Sequence, residues 1–282
     1  MAQLAVARYN LTVDLSFDKT ALVGMVHLPP LPGSPGWPRA AAGGTSAAMR
    51  AIVDHARRDA ETLLEGGCDA LIVENMSDLP YLRGRVGPET VAAITLATAA
   101  VVALGAPTGV QVLAAANLEA LGVALAAGAS FIRAEAFAYA HVADEGWLDA
   151  TAGELTRARA ALGADVRIWA DIKKKHSAHA VTADLTLADV AHGTAFCGAD
   201  ALIVTGPATG RPADPDDVAA ARHAGLPVAV GSGVTPDNAL AFASHAQALI
   251  VGTALKVDGD WRKPVELGRV RAVAAGLGRG RA

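Results

Sequence analysis

Short runs of apolar residues alternate along this chain with longer, alanine-rich segments whose apolar positions recur with a helical period. The runs expected to form strands are residues 21–26, 69–74, 109–113, 131–136, 166–172, 201–205, 227–230 and 248–251. Helices are expected between them, for example at 47–65, 88–104, 118–127 and 154–162. Eight strand–helix units without a linker favour a closed barrel over an open sheet. The predicted fold is therefore α/β, a single (β/α)8 TIM barrel over residues 1–282.

Composition limits the classes of function. Aromatic residues make up only 4% of the chain, so the core is expected to consist mainly of Ala, Val, Leu and Ile. The net charge is −4 and the longest basic run is 173–175, which argues against nucleic acid as a partner. The longest apolar stretch, 91–104, is too short to span a membrane, and the first residues lack a secretory signal pattern. We expect a cytoplasmic protein with buried free thiols at Cys68 and Cys197, monomeric or assembled from identical subunits.

Polar side chains recur where the predicted strands end. In a barrel of this type the functional groups lie at the carboxyl ends of the strands. Any one of these residues is explained equally well as a hydrogen-bonded rim residue, but their recurrence at nearly every strand indicates a site. The candidates are His27, Glu74, Asn75, Arg133, Glu135, Asp171, Lys173, Thr205, Ser232 and Thr253.

Two glycine-containing turns follow the seventh and eighth predicted strands. The first contains Gly231, Ser232 and Gly233, and the second contains Gly252 before Thr253. Adjacent glycine turns at these two strands are typical of phosphate sites in barrels, because the backbone N–H groups face the ligand without side chains in the way. Thr205 and Gly206 end the preceding strand and are assigned to the same site. The alternative is that these glycines serve only tight packing.

The turn after the seventh strand continues into Thr235 and Pro236. Thr235 is expected to cap a helix whose first turn holds Pro236, and the start of that helix would add positive partial charge beside the turn.

Asp171 and Lys173 are expected to share one side of the fifth strand, since side chains alternate along a strand. A carboxylate beside an ammonium group suits proton transfer at a carbonyl carbon, with Lys173 stabilising an enolate. The same pairing disfavours the free amine that an imine requires. Mutual neutralisation with Arg133 and Glu135 on the fourth strand is the structural alternative. Lys174 and Lys175 are expected to form a solvated basic patch.

Two further expectations concern a cation and a loop. Glu74, Glu135 and Asp171, with His27 or His176, are oxygen-rich ligands of the kind that bind Mg²⁺, although no compact ligand motif is present. The sequence therefore leaves Mg²⁺ binding as an open alternative. The Pro- and Gly-rich loop 25–46 is either a lid or a disordered flap. As a lid, it would place His27 in the barrel mouth and fold residues 29–38 over it.

Several segments resemble the BtpA family, which includes SgcQ-like members. The segments that carry the resemblance are 23–35 (VGMVHLPPLPGSP), 69–78 (DALIVENMSD), 131–135 (FIRAE), 141–146 (HVADEG), 170–176 (ADIKKKH), 205–211 (TGPATGR), 230–238 (VGSGVTPDN) and 249–259 (LIVGTALKVDG). They span nearly the full chain in order. The resemblance implies a TIM-like barrel. It also implies either a role in photosystem I accumulation or, for SgcQ-like members, a link to sugar uptake. Glu135 departs from the Asn-containing form expected of photosynthetic members, which favours the SgcQ-like side.

Two classes of function follow from these observations. The first is an enzyme that binds a small phosphorylated ligand and isomerises, epimerises or cleaves a sugar phosphate or related metabolite. The second is a non-catalytic assembly or stability factor. The charged residues gathered at the strand ends favour the enzyme, because a scaffold has no need of them. Nucleotide hydrolysis is disfavoured by the lack of a phosphate-binding GxxxxGK[ST] loop.

Overall fold

Eight parallel strands close into a barrel in the computed structural model, which describes residues 19–206, 208 and 210–279. The barrel strands are β1 (Ala21–His27), β2 (Ala70–Glu74), β3 (Thr108–Gln111), β4 (Phe131–Ala134), β7 (Arg167–Ile172), β9 (Ala201–Val204), β10 (Val228–Val230) and β11 (Ala248–Val251). Their order around the barrel is β1-β11-β10-β9-β7-β4-β3-β2. The predicted (β/α)8 fold and all eight strands are confirmed. The strands are buried along nearly their whole length, which explains their continuous apolar runs.

Helices cover the outside of the barrel. They are α1 (Trp37–Ala40), α2 (Thr45–Glu65), α3 (Pro88–Val102), α4 (Asn117–Ala127), α5 (Ala152–Ala161), α6 (Leu187–Phe196), α7 (Pro215–Ala221), α8 (Ala239–Ala243) and α9 (Leu267–Gly276). Short 3₁₀ turns lie at Ala180–Thr182, Arg222–Ala224, Thr253–Leu255 and Val257–Gly259. Local signals explain some of the helix starts. At α6, Thr186 and Asp189 form a capping box, each side chain accepting from the other's backbone N–H. No helix among the described residues is long and apolar enough to cross a membrane.

The interior of the barrel is filled from every second residue of each strand. Phe131 and Trp169 stack there with ring centroids 4.2 Å apart. Alanines and branched aliphatic residues of the other strands pack around them. Gly109 makes room for the stack, because a Cβ at this position would lie 2.3 Å from the Phe131 ring. The barrel is therefore closed below its carboxyl end by packed side chains, and any ligand site must lie above this layer.

A small antiparallel sheet on the rim was not predicted. Its strands are β5 (His141–Ala143), β6 (Gly146–Leu148) and β8 (Ser177–Ala178), in the order β6-β5-β8. β5 and β6 form a hairpin in the segment after β4, and β8 belongs to the segment after β7. The sheet therefore joins two loops that flank the charged half of the barrel mouth.

The loop after β1 differs from both expectations for it. Leu28 and Leu31 are fully buried, and the backbone N–H of Leu31 donates to Asp78 Oδ1 (2.8 Å) in the loop after β2. Thr90 Oγ1, at the start of α3, donates to the backbone oxygen of Pro32 (2.7 Å). Residues 29–38 therefore pack against the neighbouring unit and do not line the barrel mouth, so the lid prediction is wrong for this structure.

A buried ion pair fixes α2 to the segment that follows β11. Lys256 Nζ lies 2.6 Å from Asp59 Oδ2, and the Lys256 side chain is 1% exposed. Asp59 Oδ1 also accepts from the backbone N–H of Val265 (3.1 Å). His55, one turn earlier on α2, donates from Nε2 to the backbone oxygen of His27 (3.2 Å). This cluster therefore connects the first helix unit, the last strand segment and the end of β1.

The two cysteines are free, as expected, but only one of them is buried. Burial raises the pKa of the Cys68 thiol to about 12, which makes it unreactive at neutral pH. Cys197 is exposed, which corrects the expectation that both thiols are buried.

Candidate functional site

Strand alternation places polar side chains on one side of the uppermost interior layer and glycines on the other. Counting from interior residues such as Val23 and Ile72, every second residue faces inward. The layer contains His27, Glu74, Gln111, Arg133, Asp171 and Thr205, followed by Gly231 and Gly252. The two glycines lie on adjacent strand ends and border an open space at the mouth of the barrel, although a Cβ at Gly231 would lie 2.6 Å from the Ile203 side chain.

A cavity of ≈ 320 Å³ occupies this space. Eight of the predicted site residues line it: His27, Glu74, Arg133, Gly231, Ser232, Gly233, Gly252 and Thr253. Six do not: Asn75, Glu135, Asp171, Lys173, Thr205 and Gly206. Lys175, Met25, Met76 and Thr235 line the cavity and were not among the predicted site residues.

Arg133 forms a two-fold ion pair with Asp171 beneath the cavity. Arg133 Nε lies 3.2 Å from both carboxylate oxygens, and Nη2 lies 3.1 Å from Oδ1. The Asp171 side chain is fully buried, whereas Arg133 reaches the cavity surface. Burial raises the pKa of Asp171, and the adjacent guanidinium opposes that shift. Asp171 therefore positions and partly neutralises Arg133, and the expected Asp171–Lys173 pair is wrong.

His27 and Glu74 form a second pair at the cavity wall, with 3.4 Å between His27 Nε2 and Glu74 Oε2. Burial raises the pKa of Glu74, and the electrostatic effect of Lys175 and Arg133 opposes that shift. Burial also lowers the pKa of His27 well below its usual value, and the charge on Lys256 adds to that shift. The pair therefore combines a neutral imidazole with a carboxyl group that holds its proton to higher pH than usual. Such a carboxyl group suits general acid–base chemistry.

The three consecutive lysines after β7 point to three different places. Lys173 has a positive φ of 49°, and its Nζ donates to the backbone oxygen of Leu185 (3.4 Å). Lys174 is buried, with Nζ 3.5 Å from Glu135 and 3.4 Å from Glu145. Lys175 lines the cavity. The predicted solvated patch at Lys174 and Lys175 is therefore wrong, and alternation fails for Lys173 because the strand has already ended at Ile172.

Glu135 is part of the rim structure rather than the cavity. Its Oε2 accepts from the backbone N–H of Ala115 (3.1 Å) and faces Lys174. The buried ring of His141 lies close by, with its centroid 5.2 Å from that of His179. The pKa of His141 is lowered to about 4, mainly by burial and also by the nearby His179 and Lys174, while Glu135 opposes the shift.

Acid is expected to destabilise the protein through His141. Because its pKa is depressed in the folded state, the stabilising contribution is present above the ordinary value of about 6.5 and is lost as pH falls toward 4. The free energy of unfolding should fall by up to ~1.4 kcal/mol per pH unit in this window from His141 alone. Urea unfolding of His141→Gln should show a shallower pH slope than wild type. The exposed His223→Gln is the control, and equal slopes in all three proteins would contradict the prediction.

The glycine turn after β10 lines the cavity and is also held in shape by hydrogen bonds and close packing. Ser232 Oγ accepts from the backbone N–H of Gly206 (2.7 Å) and donates to the backbone oxygen of Arg211 (3.1 Å). Its hydroxyl hydrogen is thus already used within the protein. A Cβ at Gly233, where φ is 68°, would lie 2.2 Å from the Pro212 backbone nitrogen. Gly233 therefore has two roles: it allows tight packing against Pro212, and it lines the cavity.

The helix expected after Thr235 begins later than predicted. α8 starts at Ala239 and has only five residues. Asn238 shapes the intervening turn by accepting from the N–H of Thr235 (2.7 Å) and donating to the oxygen of Gly233 (2.9 Å). Thr235 therefore does not cap this helix. The turn shaped by Asn238 instead places Thr235 in the cavity wall.

Asn75 also has a structural role. Its Nδ2 donates to Asp78 (3.0 Å), and its Oδ1 accepts from the N–H of Leu113 (2.8 Å), which joins the loops after β2 and β3. The residues expected to bind Mg²⁺ do not converge either. No group of three or more His, Cys, Asp or Glu side chains is arranged to hold a metal within the described ranges. The donors do not fit a resident metal ion, because Asp171 and Glu135 face cations of the protein itself.

Two features of the site had usable signals in the sequence. Gln111 lies in the uppermost layer by strand alternation, and its buried Oε1 has no hydrogen-bond partner among the described residues. The β5–β6 hairpin has a weaker signal in its turn, where Gly146 follows Asp144 and Glu145 and takes a φ of 104°. Nothing in the sequence indicated that Lys175 faces the cavity, since this depends on positive φ values at Lys173 and His176.

Comparison with known proteins gives matches over nearly the whole chain. A model of the BtpA family matches residues 18–278. A mitochondrial protein of Caenorhabditis elegans is 41% identical over 264 residues, covering 91% of this chain and 92% of the relative. The photosystem I biogenesis protein BtpA of Synechocystis is 36% identical over 265 residues, covering 92% and 88%.

Solved structures share the barrel. Phosphoribosyl anthranilate isomerase from Thermus thermophilus has a TM-score of 0.53 at 15% identity and covers 92% of this chain and 98% of its own. KGPDC from Streptococcus mutans, in complex with a phosphorylated sugar, has a TM-score of 0.55 at 14% identity, with the same coverage. At such identities the likeness concerns the fold.

Proposed function

This chain belongs to the BtpA family, and we propose that it is an enzyme acting on a phosphorylated sugar or a related small metabolite, by isomerisation, epimerisation or carbon–carbon cleavage. One observation carries the proposal. The glycine turns after β10 and β11 line the same cavity as Arg133, Lys175 and Glu74, and a Cβ at Gly231 would lie 3.4 Å from Arg133 Nη2. Anion-binding donors, a cation and an acid–base group therefore share one cavity.

The anion would be held by charge and by hydroxyl or backbone donors. Arg133 presents part of its guanidinium to the cavity, and its partner Asp171 keeps the group rigid. Thr253 and Thr235 line the same cavity beside Gly252 and Gly233. Guanidinium–phosphate contacts are among the stronger hydrogen bonds in proteins. The cavity volume of ≈ 320 Å³ is at the lower end for ligand pockets, which favours a small metabolite over a nucleotide.

The chemistry would lie at Glu74 and His27. A carboxyl group with a raised pKa can donate a proton to a carbonyl oxygen or, once ionised, remove one from the adjacent carbon. The positive charge of Arg133 would also stabilise the negative charge that develops on the oxygen. The acid–base role expected of Asp171, Lys173 and Glu135 is thus better placed at Glu74. The phosphorylated ligand of the KGPDC structure is compatible with this ligand class.

Phosphorylated ligands are expected to stabilise the wild-type protein against heat. Binding to the folded state adds about 2.7 kcal/mol when the ligand is at 100 times its Kd. Ribose 5-phosphate, dihydroxyacetone phosphate and inorganic phosphate should raise the Tm, whereas ribose should not. Thr253→Glu should abolish the effect, because it places a carboxylate in the cavity wall.

The matched control is Leu240→Glu, which adds the same charge at a side chain that is 64% exposed on α8. It should behave like wild type toward the phosphates. The proposal fails if no phosphate raises the Tm of wild type above the effect of ribose, or if Thr253→Glu responds as wild type does.

A second candidate function rests on the Synechocystis relative, whose name assigns it to photosystem I biogenesis. Four exposed apolar residues occur on the loop after β2 and on the β5–β6 hairpin: Leu79, Leu82, Val142 and Trp147. Arg83 Nη1 donates to the backbone oxygen of Trp147 (3.2 Å), which holds the two segments together. An assembly factor would depend on this surface. Leu82→Ser with Trp147→Ser would then impair function in cells, while Thr253→Glu would leave it unchanged.

A further inference from the structure

Lys175 is distinguished from the other buried lysines by its electrostatic partners. Lys174 and Lys256 each lie within 4 Å of a carboxylate. Across the described part of the chain, Lys175 has no ion pair within that distance, and its side chain lines the cavity. One nearby carboxylate, Asp171, is already engaged by Arg133. The Lys175 amine is therefore held in the cavity without a close counter-ion.

The surroundings favour the uncharged amine. Burial lowers the pKa of Lys175, and the positive charge of Arg133 lowers it further. Glu74, Asp171 and Glu135 oppose the shift. Their opposition is limited, because Asp171 and Glu135 face other cations and burial raises the pKa of Glu74. A lysine beside another cation in a desolvated pocket is the arrangement in which amines become nucleophilic near neutral pH.

We propose that Lys175 is the nucleophile of this cavity and forms an imine with the carbonyl carbon of a small phosphorylated aldehyde or ketone, an inference that rests on the proposed function. The nitrogen lone pair attacks the carbonyl carbon, the nitrogen loses one proton and the oxygen gains one, which gives a carbinolamine. A second proton on the oxygen lets the carbon–oxygen bond break and water leave as the C=N bond forms, and the nitrogen then loses its remaining proton to give the imine. No electrons are gained or lost. Glu74 is the group positioned to supply and accept these protons.

Reductive trapping with pyridoxal 5′-phosphate tests the inference, because this probe carries an aldehyde and a phosphate on one small molecule. Borohydride supplies the hydride that converts the imine into a stable secondary amine, and peptide mass mapping locates it. In wild type at pH 7, Lys175 should be labelled at least ~10-fold faster than Lys173, because the cavity holds the probe's aldehyde beside Lys175, whereas the Lys173 amine donates to the Leu185 backbone oxygen outside it. Labelling at Lys173 or elsewhere with Lys175 unmodified would overturn the inference.

Two matched variants separate the lysines. Lys173→Met removes a neighbouring ammonium that points away from the cavity, and labelling at Lys175 should persist. Lys175→Met should remove the fast-labelled site while leaving the Tm of the free protein nearly unchanged, since no ion pair is lost. If Lys175→Met leaves the rate and extent of fast labelling as in wild type, the inference is wrong.

Phosphate binding distinguishes the failure of the inference from that of the proposed function. Inorganic phosphate should slow labelling of Lys175 if the probe's phosphate occupies the cavity. If phosphate stabilises the protein but Lys175 is not labelled, the cavity binds phosphates and the imine inference is overturned. If phosphate neither stabilises the protein nor slows labelling, the proposed function fails and the inference that rests on it fails too.

Discussion

Replacing Lys256 with methionine is expected to lower the free energy of unfolding by ~3–5 kcal/mol. The variant would leave Asp59 buried without the ammonium that lies 2.6 Å from it. The hydrogen bond from Val265 N–H to Asp59 does not compensate for that charge. The loss should be measured by urea unfolding at pH 7. An unchanged m-value, the dependence of the unfolding free energy on urea concentration, would show that unfolding is still two-state.

Two controls show whether the loss comes from the buried charge. In the double variant Lys256→Met with Asp59→Leu no charge stays buried, and most of the stability should return. Arg57→Met breaks an exposed pair on the same helix, where Arg57 Nε lies 2.8 Å from Glu61, and should change the free energy of unfolding far less than Lys256→Met does, because water screens the exposed pair. A cost below ~1 kcal/mol for Lys256→Met would show that the pair contributes little in solution.

Arg133→Met is expected to have the second large effect, on stability and on ligand binding together. Asp171 would remain fully buried without its two-fold partner, at a cost of ~3–5 kcal/mol. Phosphate binding should weaken by about 10- to 100-fold, the scale of losing a charged hydrogen bond of ~1.5–3 kcal/mol. Calorimetric titration with ribose 5-phosphate, at a temperature where the variant is folded, measures the second effect separately.

Asp171→Asn distinguishes a positioning role from a catalytic one. The amide keeps the shape of the side chain and leaves Arg133 in the cavity wall, so phosphate binding should persist while stability falls by a few kcal/mol. A catalytic Asp171 would give the opposite pattern, with turnover reduced by about 10²-fold and the Tm unchanged. The latter result would restore the acid–base role that the sequence suggested for this residue.

The fold was predictable because each structural signal was local and repeated. Buried parallel strands read as continuous apolar runs, and glycines such as Gly128 and Gly225 take left-handed conformations just past their helices. The β5–β6–β8 sheet was harder to find, because strands of two or three residues leave almost no periodic pattern. Its pairing also joins loops that are more than thirty residues apart.

The site was predictable only as far as the strands extend. Alternation correctly places His27, Glu74 and Arg133 in the cavity wall, since each lies within a barrel strand. It fails at Lys173, one residue past β7, where a φ of 49° turns the chain. The actual partner of Asp171 comes from the neighbouring strand, and a pattern within one strand carries no information about that distance.

The divergence of Lys173, Lys174 and Lys175 has a consequence for comparing relatives of this protein. Each of the three occupies a different environment: the Leu185 backbone, the Glu135–Glu145 pair and the cavity. A single-residue insertion or deletion in this tract would leave its composition almost unchanged and yet bring a different amine to the ligand. An alignment that shifts the tract by one position would therefore pair residues that are chemically identical but not functionally equivalent. Equivalence to Lys175 therefore depends on the exact position of a lysine in this tract, not on the number of lysines.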